Sequence, residues 1–170
     1  MKTDIKEKVI LVDKEDREIG LEEKIKAHEE GKLHRAFSIF VFNKKGEILL
    51  QKRAKNKYHS GGLWSNTCCS HPRFNETVIE AAKRRLKEEM GIECELQFID
   101  KITYRAKVGD LIEHEIDYIF VGHFEGNPQV NKEEVEDWAW VPFDKLKEDI
   151  KKNPLEYTPW LKIILEKVKL

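Results

Sequence analysis

Apolar positions along the chain follow two different periods. Short apolar runs bounded by charged or turn residues occupy EKVILVD near the start, then RAFSIFVFN, then EILLQKR. Runs of this length, rich in β-branched and aromatic residues, predict strands, and the KKG between the last two predicts a hairpin. The intervening LEEKIKAHEEGKLH is polar and fits either a loop or a short helix. AKNKYHSGG reads as a basic loop, and LWSNTCCSH as a short strand leading into a turn. The period then changes. Over 76–90, Val78/Ile79, Ala82, Leu86 and Met90 recur at helical spacing, with Asn75 as the predicted N-cap and Gly91 as the stop. ELQFIDKITYRA and LIEHEIDYIFVGHF, split by Gly109-Asp110, return to the strand pattern, as does VEDWAWV. Two further helices are predicted where Pro142 precedes FDKLKEDIKK and Pro159 precedes WLKIILEKVK. Many strands, one central helix and helices near the end predict an α+β sandwich.

Composition narrows the functional classes. A chain of 170 residues favours a single domain over 1–170 and is long enough to bury a core without staples. Apolar content of 40% with 37% charged residues places it among soluble globular proteins rather than disordered ones. A net charge of -1 argues against general affinity for nucleic acid or membrane. Three cysteines, of which Cys68 and Cys69 are adjacent, make a poor disulfide framework and predict a reducing compartment. Neither a signal peptide nor an apolar stretch near the ~20 residues of a spanning helix is found, so the expected location is the cytoplasm.

Several groups of residues are candidates for chemistry. On a strand, Glu113, Glu115 and Asp117 share one face. A solvated edge strand explains such a face, and so does a bound cation that offsets the repulsion. Arg85, Glu88 and Glu89 share a helix face opposite the apolar stripe, as a surface ion pair or as a magnesium-binding carboxylate beside a phosphate-binding arginine. His28, His34 and His71 fall in or beside loops and turns, and with two carboxylates they suit a first-row metal. The stretch with Lys44, Lys45, Lys52, Arg53, Lys55 and Lys57 is either a solvated face or a diphosphate grip. Zinc held by the cysteines is disfavoured, because no Cys-x-x-Cys pair exists and Cys94 lies far off.

Residues 70–92, SHPRFNETVIEAAKRRLKEEMGI, resemble the Nudix box, G-x5-E-x7-R-E-U-x-E-E-x-G-U with U aliphatic. Glu76, Arg84, Leu86, Glu88, Glu89, Gly91 and Ile92 fall on its fixed positions. Ser70 stands where the first glycine belongs and Arg85 where a metal-binding glutamate belongs, which argues against ordinary pyrophosphate hydrolysis. The departures resemble one branch, the type I isopentenyl-diphosphate Δ-isomerases. The shared features are Cys69-Ser70-His71-Pro72, Arg85, Glu113-His114-Glu115, KAHEEGKLHRAF, Tyr104-Arg105-Ala106 and Thr158-Pro159-Trp160, in the family's order over roughly residues 24–160. Several separated motifs in one order are far more specific than any one alone.

The resemblance implies a Nudix-like α/β/α sandwich with a mixed sheet and one central Nudix-box helix. It implies that His28, His34, His71, Glu113 and Glu115 hold one divalent metal (manganese, zinc or magnesium). It implies that Glu89 and the main-chain carbonyl of Cys69 help hold a magnesium ion carried by the substrate diphosphate. Lys24, Arg53, Lys57, Ser70 and Arg85 would grip the diphosphate. Cys69 and Glu115 would be the acid–base pair, with Tyr104 beside Glu115 and Trp160 facing the hydrocarbon. The implied reaction interconverts isopentenyl and dimethylallyl diphosphate by protonation and deprotonation through a tertiary carbocation. Two assignments are open: a glutamate proton passed through Tyr104 with a Cys69 thiolate as base, which is preferred, or the reverse. No macromolecular partner is implied, and the expected state is a monomer or weak dimer. A Nudix hydrolase and a non-catalytic Nudix-fold binding module are the competing classes.

Overall fold

The computed structural model describes residues 7–170. Nine strands and four helices run in the order β1 (Lys8–Val12), β2 (Glu18–Glu23), α1 (Lys24–Glu30), β3 (His34–Phe42), β4 (Glu47–Arg53), β5 (Trp64–Ser65), β6 (Cys68–Ser70), α2 (Val78–Met90), β7 (Leu96–Val108), β8 (Leu111–His123), β9 (Val135–Pro142), α3 (Phe143–Lys152) and α4 (Pro159–Lys167). The polar segment that fits a loop or a short helix is the end of β2 followed directly by the short helix α1.

Strand β3 organises the sheet. It pairs in parallel with β8 from His34↔Glu115 to Phe42↔His123, and β8 continues into its antiparallel partner β7. The predicted β3–β4 hairpin exists, but its strands pair only at Phe42↔Ile48. Beyond that point they part: β4 pairs with β5 at Gln51↔Ser65 and Lys52↔Trp64, while its other edge pairs with β9 from Glu47↔Pro142 to Arg53↔Val135. Buried peptide groups exposed by such a split need new partners. Segment 66–70 supplies them. Strand β6 pairs with β3 at Phe37↔Ser70, Ser38↔Cys69 and Ile39↔Cys68. The Thr67 hydroxyl donates to the Leu49 carbonyl at 2.6 Å and accepts from the Val41 N–H at 2.9 Å. The Asn66 amide donates to the Ile39 carbonyl at 3.0 Å. The sequence around Cys69 is thus wedged into the mouth of a splayed hairpin.

Side-chain alternation along β3 feeds two cores. Phe37, Ile39 and Val41 pack with Leu86 and Met90 of α2 and with Phe120. Phe40 packs on the other face with Leu146 of α3 and with Leu161 and Ile164 of α4. Helices therefore cover both faces of a mixed sheet, as the expected α/β/α sandwich requires. The N-cap of α2 is Thr77 rather than Asn75. Thr77 forms a capping box with Glu80, while Asn75 takes φ 62° in the turn before it. The reciprocal Thr–Glu pair satisfies two end donors, which a lone asparagine does not. Gly91 ends the helix at φ 64°, where a Cβ would meet the Gln129 carbonyl oxygen at 2.6 Å.

Candidate active site and metal centre

Residues Glu113, Glu115 and Asp117 of β8 do share a face, but it is not a solvated edge. Their exposures are 2%, 5% and 1%. Burying three carboxylates is costly unless partners compensate, and the partners come from four other segments. Parallel pairing sets His34, the first residue of β3, beside Glu115, and its Nε2 lies 3.5 Å from Glu115 Oε2. His71, just past β6, places Nε2 3.3 Å from the same oxygen. His28 on α1 places Nε2 3.3 Å from Glu113 Oε2. His59, from the β4–β5 loop, places Nε2 against Glu113 Oε1.

The geometry of these rings fits a cation. His28 Nδ1–H donates to the Lys24 carbonyl at 2.6 Å, and His34 Nδ1–H to the Lys32 carbonyl at 2.9 Å. A ring whose Nδ1 holds the proton presents a lone pair at Nε2, the usual way a ligating histidine is fixed. Both of these Nε2 atoms and Glu113 Oε2 are buried without a hydrogen-bond partner in the protein. One ligand atom each from His28, His34, His71 and Glu113 falls within 4.8 Å of the others. Three imidazoles with carboxylates make a donor set for a divalent first-row metal. His71 is held neutral, near 3, by burial against the opposing pull of Glu115. Burial also opposes the charge of His28, but Glu113 outweighs it and raises that group. A divalent cation at the centre would expel such a proton, as ligation generally does.

Next to this cluster lies a pocket whose lining includes Cys69, Ser70, His71, Tyr104, Glu115 and Trp160. The Tyr104 hydroxyl donates to Glu115 Oε1 at 2.7 Å. The Cys69 thiol faces Asn66 Oδ1 at 3.0 Å and Ser38 Oγ at 3.5 Å, and Ser38 in turn donates to Asp117 Oδ2 at 2.7 Å. Burial, then the Asp117 charge, pushes the Cys69 thiol up to about 12. Glu115 goes the other way: burial opposes its charge, but hydrogen bonds from Glu113, His34 and His71 hold it well below the usual range. Glu113 and Asp117 are both raised, by burial first and then by the charge of Glu115. Trp160 is buried and held by an Nε1–H bond to Ser65 Oγ at 3.0 Å.

Residues 32–161 match the model of the Nudix domain. The chain is 51% identical over 165 residues to isopentenyl-diphosphate Delta-isomerase 2 of Aromatoleum aromaticum, covering 96% of this chain and 87% of that relative. It is 52% identical over 167 residues to isopentenyl-diphosphate Delta-isomerase of Burkholderia multivorans, covering 98% and 95%. The chain belongs to the isopentenyl-diphosphate Delta-isomerase family of the Nudix superfamily. A crystal structure of a Deinococcus radiodurans protein shares the fold with a TM-score of 0.79 over 94% of this chain and 98% of that one, at 15% identity.

Against this isomerase family membership, the cations named from the sequence can be located. Lys24 and Lys57 sit on carboxylates, of Glu7 and Glu134 respectively. The Arg53 guanidinium lies 5.0 Å over the Trp160 ring and donates to the His59 carbonyl at 3.2 Å. Arg85 donates to Glu88 at 2.6 Å and to Glu89 at 2.6 Å. Arg53 and Arg85 each keep a buried Nε–H without a protein partner, the kind of donor an oxyanion satisfies. Ser70 is half-buried at the end of β6. Glu89 is not on a solvated helix face. It is 4% exposed, and its Oε2 accepts from Gln51 at 3.0 Å and faces the Cys68 thiol at 3.2 Å. Because Arg85 spans Glu88 and Glu89, a fixed guanidinium stands among the carboxylates of the box.

Three neighbours of the site have no role assigned from the sequence, Ser38, Asn66 and His59, and a fourth, Asp117, has one only as part of the acidic face. Ser38 and Asn66 carry no signal, since a serine in an apolar strand and an asparagine before a turn have ordinary explanations. Asp117 was visible as the third member of an acidic face. His59 was visible as a histidine beside the basic loop, but nothing in the spacing links it to Glu113.

Proposed function

We propose that this protein interconverts isopentenyl and dimethylallyl diphosphate. What carries the reading is the convergence of Cys69 and the Tyr104–Glu115 pair on one pocket beside a histidine–carboxylate metal centre, in a chain about half identical to proteins named for that reaction. Moving a double bond by one carbon requires a proton added at the terminal carbon and another removed from C2. An acid and a base must therefore come from different segments. Cys69 on β6 and Glu115 on β8 meet that need.

The protonation of the site favours Cys69 as donor to the terminal carbon and Glu115, hydrogen-bonded to Tyr104, as acceptor from C2. This reverses the order preferred from the sequence, because burial beside Asp117 disfavours the thiolate. The indole face of Trp160 stabilises the tertiary cation between the two steps, by about 2 kcal/mol or more when water is excluded. His28, His34, His71, Glu113 and Glu115 would hold one Mn2+, Zn2+ or Mg2+, which when bound supplies positive charge that offsets the buried carboxylates. Glu89 and the Cys69 carbonyl would hold Mg2+ brought with the diphosphate, and Lys24, Arg53, Lys57, Ser70 and Arg85 would bind its oxygens. Exchanging Glu7 and Glu134 for phosphate oxygens leaves both lysines paired throughout.

Charge balance and free thiols support a cytoplasmic, single-domain protein over 1–170, a monomer or weak dimer with no nucleic-acid or membrane partner. Among the described residues no helix is long and apolar enough to cross a membrane.

Incubation with isopentenyl diphosphate and Mg2+ in heavy water, followed by NMR, tests the reaction. Deuterium-labelled dimethylallyl diphosphate is the expected product. Released phosphate would instead identify a hydrolase, and the absence of turnover with metal loaded would leave a binding module. For the proton order, alkylation of Cys69 in a Cys68→Ala/Cys94→Ala background should be slow at pH 7 and accelerate only in strong alkali. Thiolate-like reactivity at neutral pH would restore the opposite order.

A further inference from the structure

His59 takes no part in the functions above, yet the fold goes to some length to bury it. The loop from β4 to β5 is closed tightly on itself: Gly62 N–H donates to the Arg53 carbonyl at 2.8 Å, and a Cβ on Gly61 would meet the Lys55 carbonyl oxygen at 2.4 Å. Ser60 takes φ 51°, a left-handed value that side chains other than glycine adopt only under constraint. The Arg53 guanidinium holds the His59 carbonyl, and the ring packs tilted against Tyr58 and Trp160, with centroids 4.0 Å and 5.3 Å away. The result is an imidazole only 8% exposed whose Nε2 lies in contact with Glu113 Oε1. Neither ring nitrogen makes an aligned hydrogen bond in the protein, so the Glu113 contact is one of proximity and charge. The four residues whose ligand atoms gather within 4.8 Å are His28, His34, His71 and Glu113, and the His59 ring lies 5.7 Å from that of His28.

We infer that His59 is a positioning residue for the metal centre: its Nε2–H is given to Oε1 of Glu113, fixing that carboxylate so that Oε2 faces the Nε2 atoms of His28, His34 and His71. A carboxylate with one oxygen held has one rotamer left for its ligand, and loss of such outer partners typically weakens metal binding about 10–100-fold. Glu113 needs this support more than Glu115 does. Glu115 Oε1 already receives the Tyr104 hydroxyl, whereas no main-chain or hydroxyl donor reaches Glu113 among the hydrogen bonds of the described residues. His59 would thus serve Glu113 as the Tyr104 hydroxyl serves Glu115.

The inference rests on the metal reading of the site, and the test separates the two. Metal-free protein is titrated with Mn2+ and with Zn2+ against a chromophoric chelator, and Co2+ is added for its absorption spectrum. His59→Phe keeps an aromatic ring against Tyr58 and Trp160 and lacks the donor; His59→Gln keeps a donor; Glu113→Gln removes the ligand itself. Affinity should fall about 10–100-fold in His59→Phe, with an altered Co2+ spectrum, and return towards the parent's in His59→Gln. Equal affinity in the parent and in His59→Phe, with binding lost in Glu113→Gln, overturns the positioning role and leaves the metal site standing. The same result follows if His59→Gln is as weak as His59→Phe, because the ring then acts by packing alone. A parent that binds no metal, or a Glu113→Gln protein that binds as the parent does, overturns the metal reading and the inference with it. Melting of the metal-free variants shows that each is folded.

Discussion

At the scale of single residues, adjacency in sequence proves uninformative about role. Cys68 and Cys69 are neighbours on β6, and alternation sends their side chains to opposite faces. Cys68 is fully buried, packs with α2 and faces Glu89. Cys69 opens on the pocket with Tyr104 and Glu115. Cys69→Ala should abolish turnover, a loss of at least the 10²–10⁴-fold typical of acid–base groups, whereas Cys68→Ala should keep activity within several-fold and lose roughly 1 kcal/mol of stability through a small cavity. Steady-state kinetics and urea unfolding of the two variants check this, and similar mild losses in both would refute the assignment. Both cysteines are pushed up by burial, so neither is read here as a resting nucleophile.

At the scale of elements, the β1–β2 hairpin must be held to the sheet because it leads into α1, which carries His28. Strand β1 touches β3 through the single pair Leu11↔His34, too little to fix the hairpin by backbone pairing. Asp16 at its turn does much of the work. Its carboxylate accepts from Arg35 Nε at 2.9 Å, from Lys101 at 3.2 Å and from the Tyr118 hydroxyl, and its side chain is 7% exposed. Burial opposes its charge, but Tyr118 and Arg35 outweigh burial and lower its pKa. A lowered carboxylate adds stability that is complete above its unfolded pKa, about 3.9, and is lost as pH falls through the folded value. Asp16 takes φ 63°, which asparagine also tolerates, so Asp16→Asn should cost about 2–3 kcal/mol at pH 7. The difference from the parent should shrink below about pH 4. Urea titrations at pH 7 and pH 3 would show this, and a difference independent of pH would mean that the charge is immaterial.

At the scale of the whole molecule, the residues that could hold a metal join α1, β3, the turn after β6 and β8, segments far apart in sequence. A cation bound there cross-links the N-terminal hairpin to the sheet, and ligand binding to the native state alone stabilises it by about 2.7 kcal/mol at a hundred times Kd. Chelation should lower the melting temperature by several degrees as well as stop turnover, and re-addition of metal should restore both. An unchanged melting curve alongside lost activity would mean that the cation does not brace the fold.

Much of this arrangement was legible in the chain because local rules governed it. Alternation along β8 put Glu113, Glu115 and Asp117 on one face, helical spacing located α2, and the prolines before Phe143 and Trp160 marked α3 and α4. Family motifs drew attention to the residues that the fold gathers, since each lies in a short stretch whose residue types are unusual. The sequence left undecided whatever depended on approach through space. Whether the acidic face was solvated turned on the parallel pairing of β3 with β8, which no local pattern encodes. The splaying of the β3–β4 hairpin, and with it the depth of Cys69, depended on Thr67 and Asn66 replacing lost backbone bonds. The inward turn of His59 depended on Gly61 and Ser60 closing a loop against Arg53. Sequence determined the elements and the candidate chemistry, because period and residue type are local properties. Only the tertiary structure decided burial, protonation and which histidine faces which carboxylate, because these are set by neighbours tens of residues away.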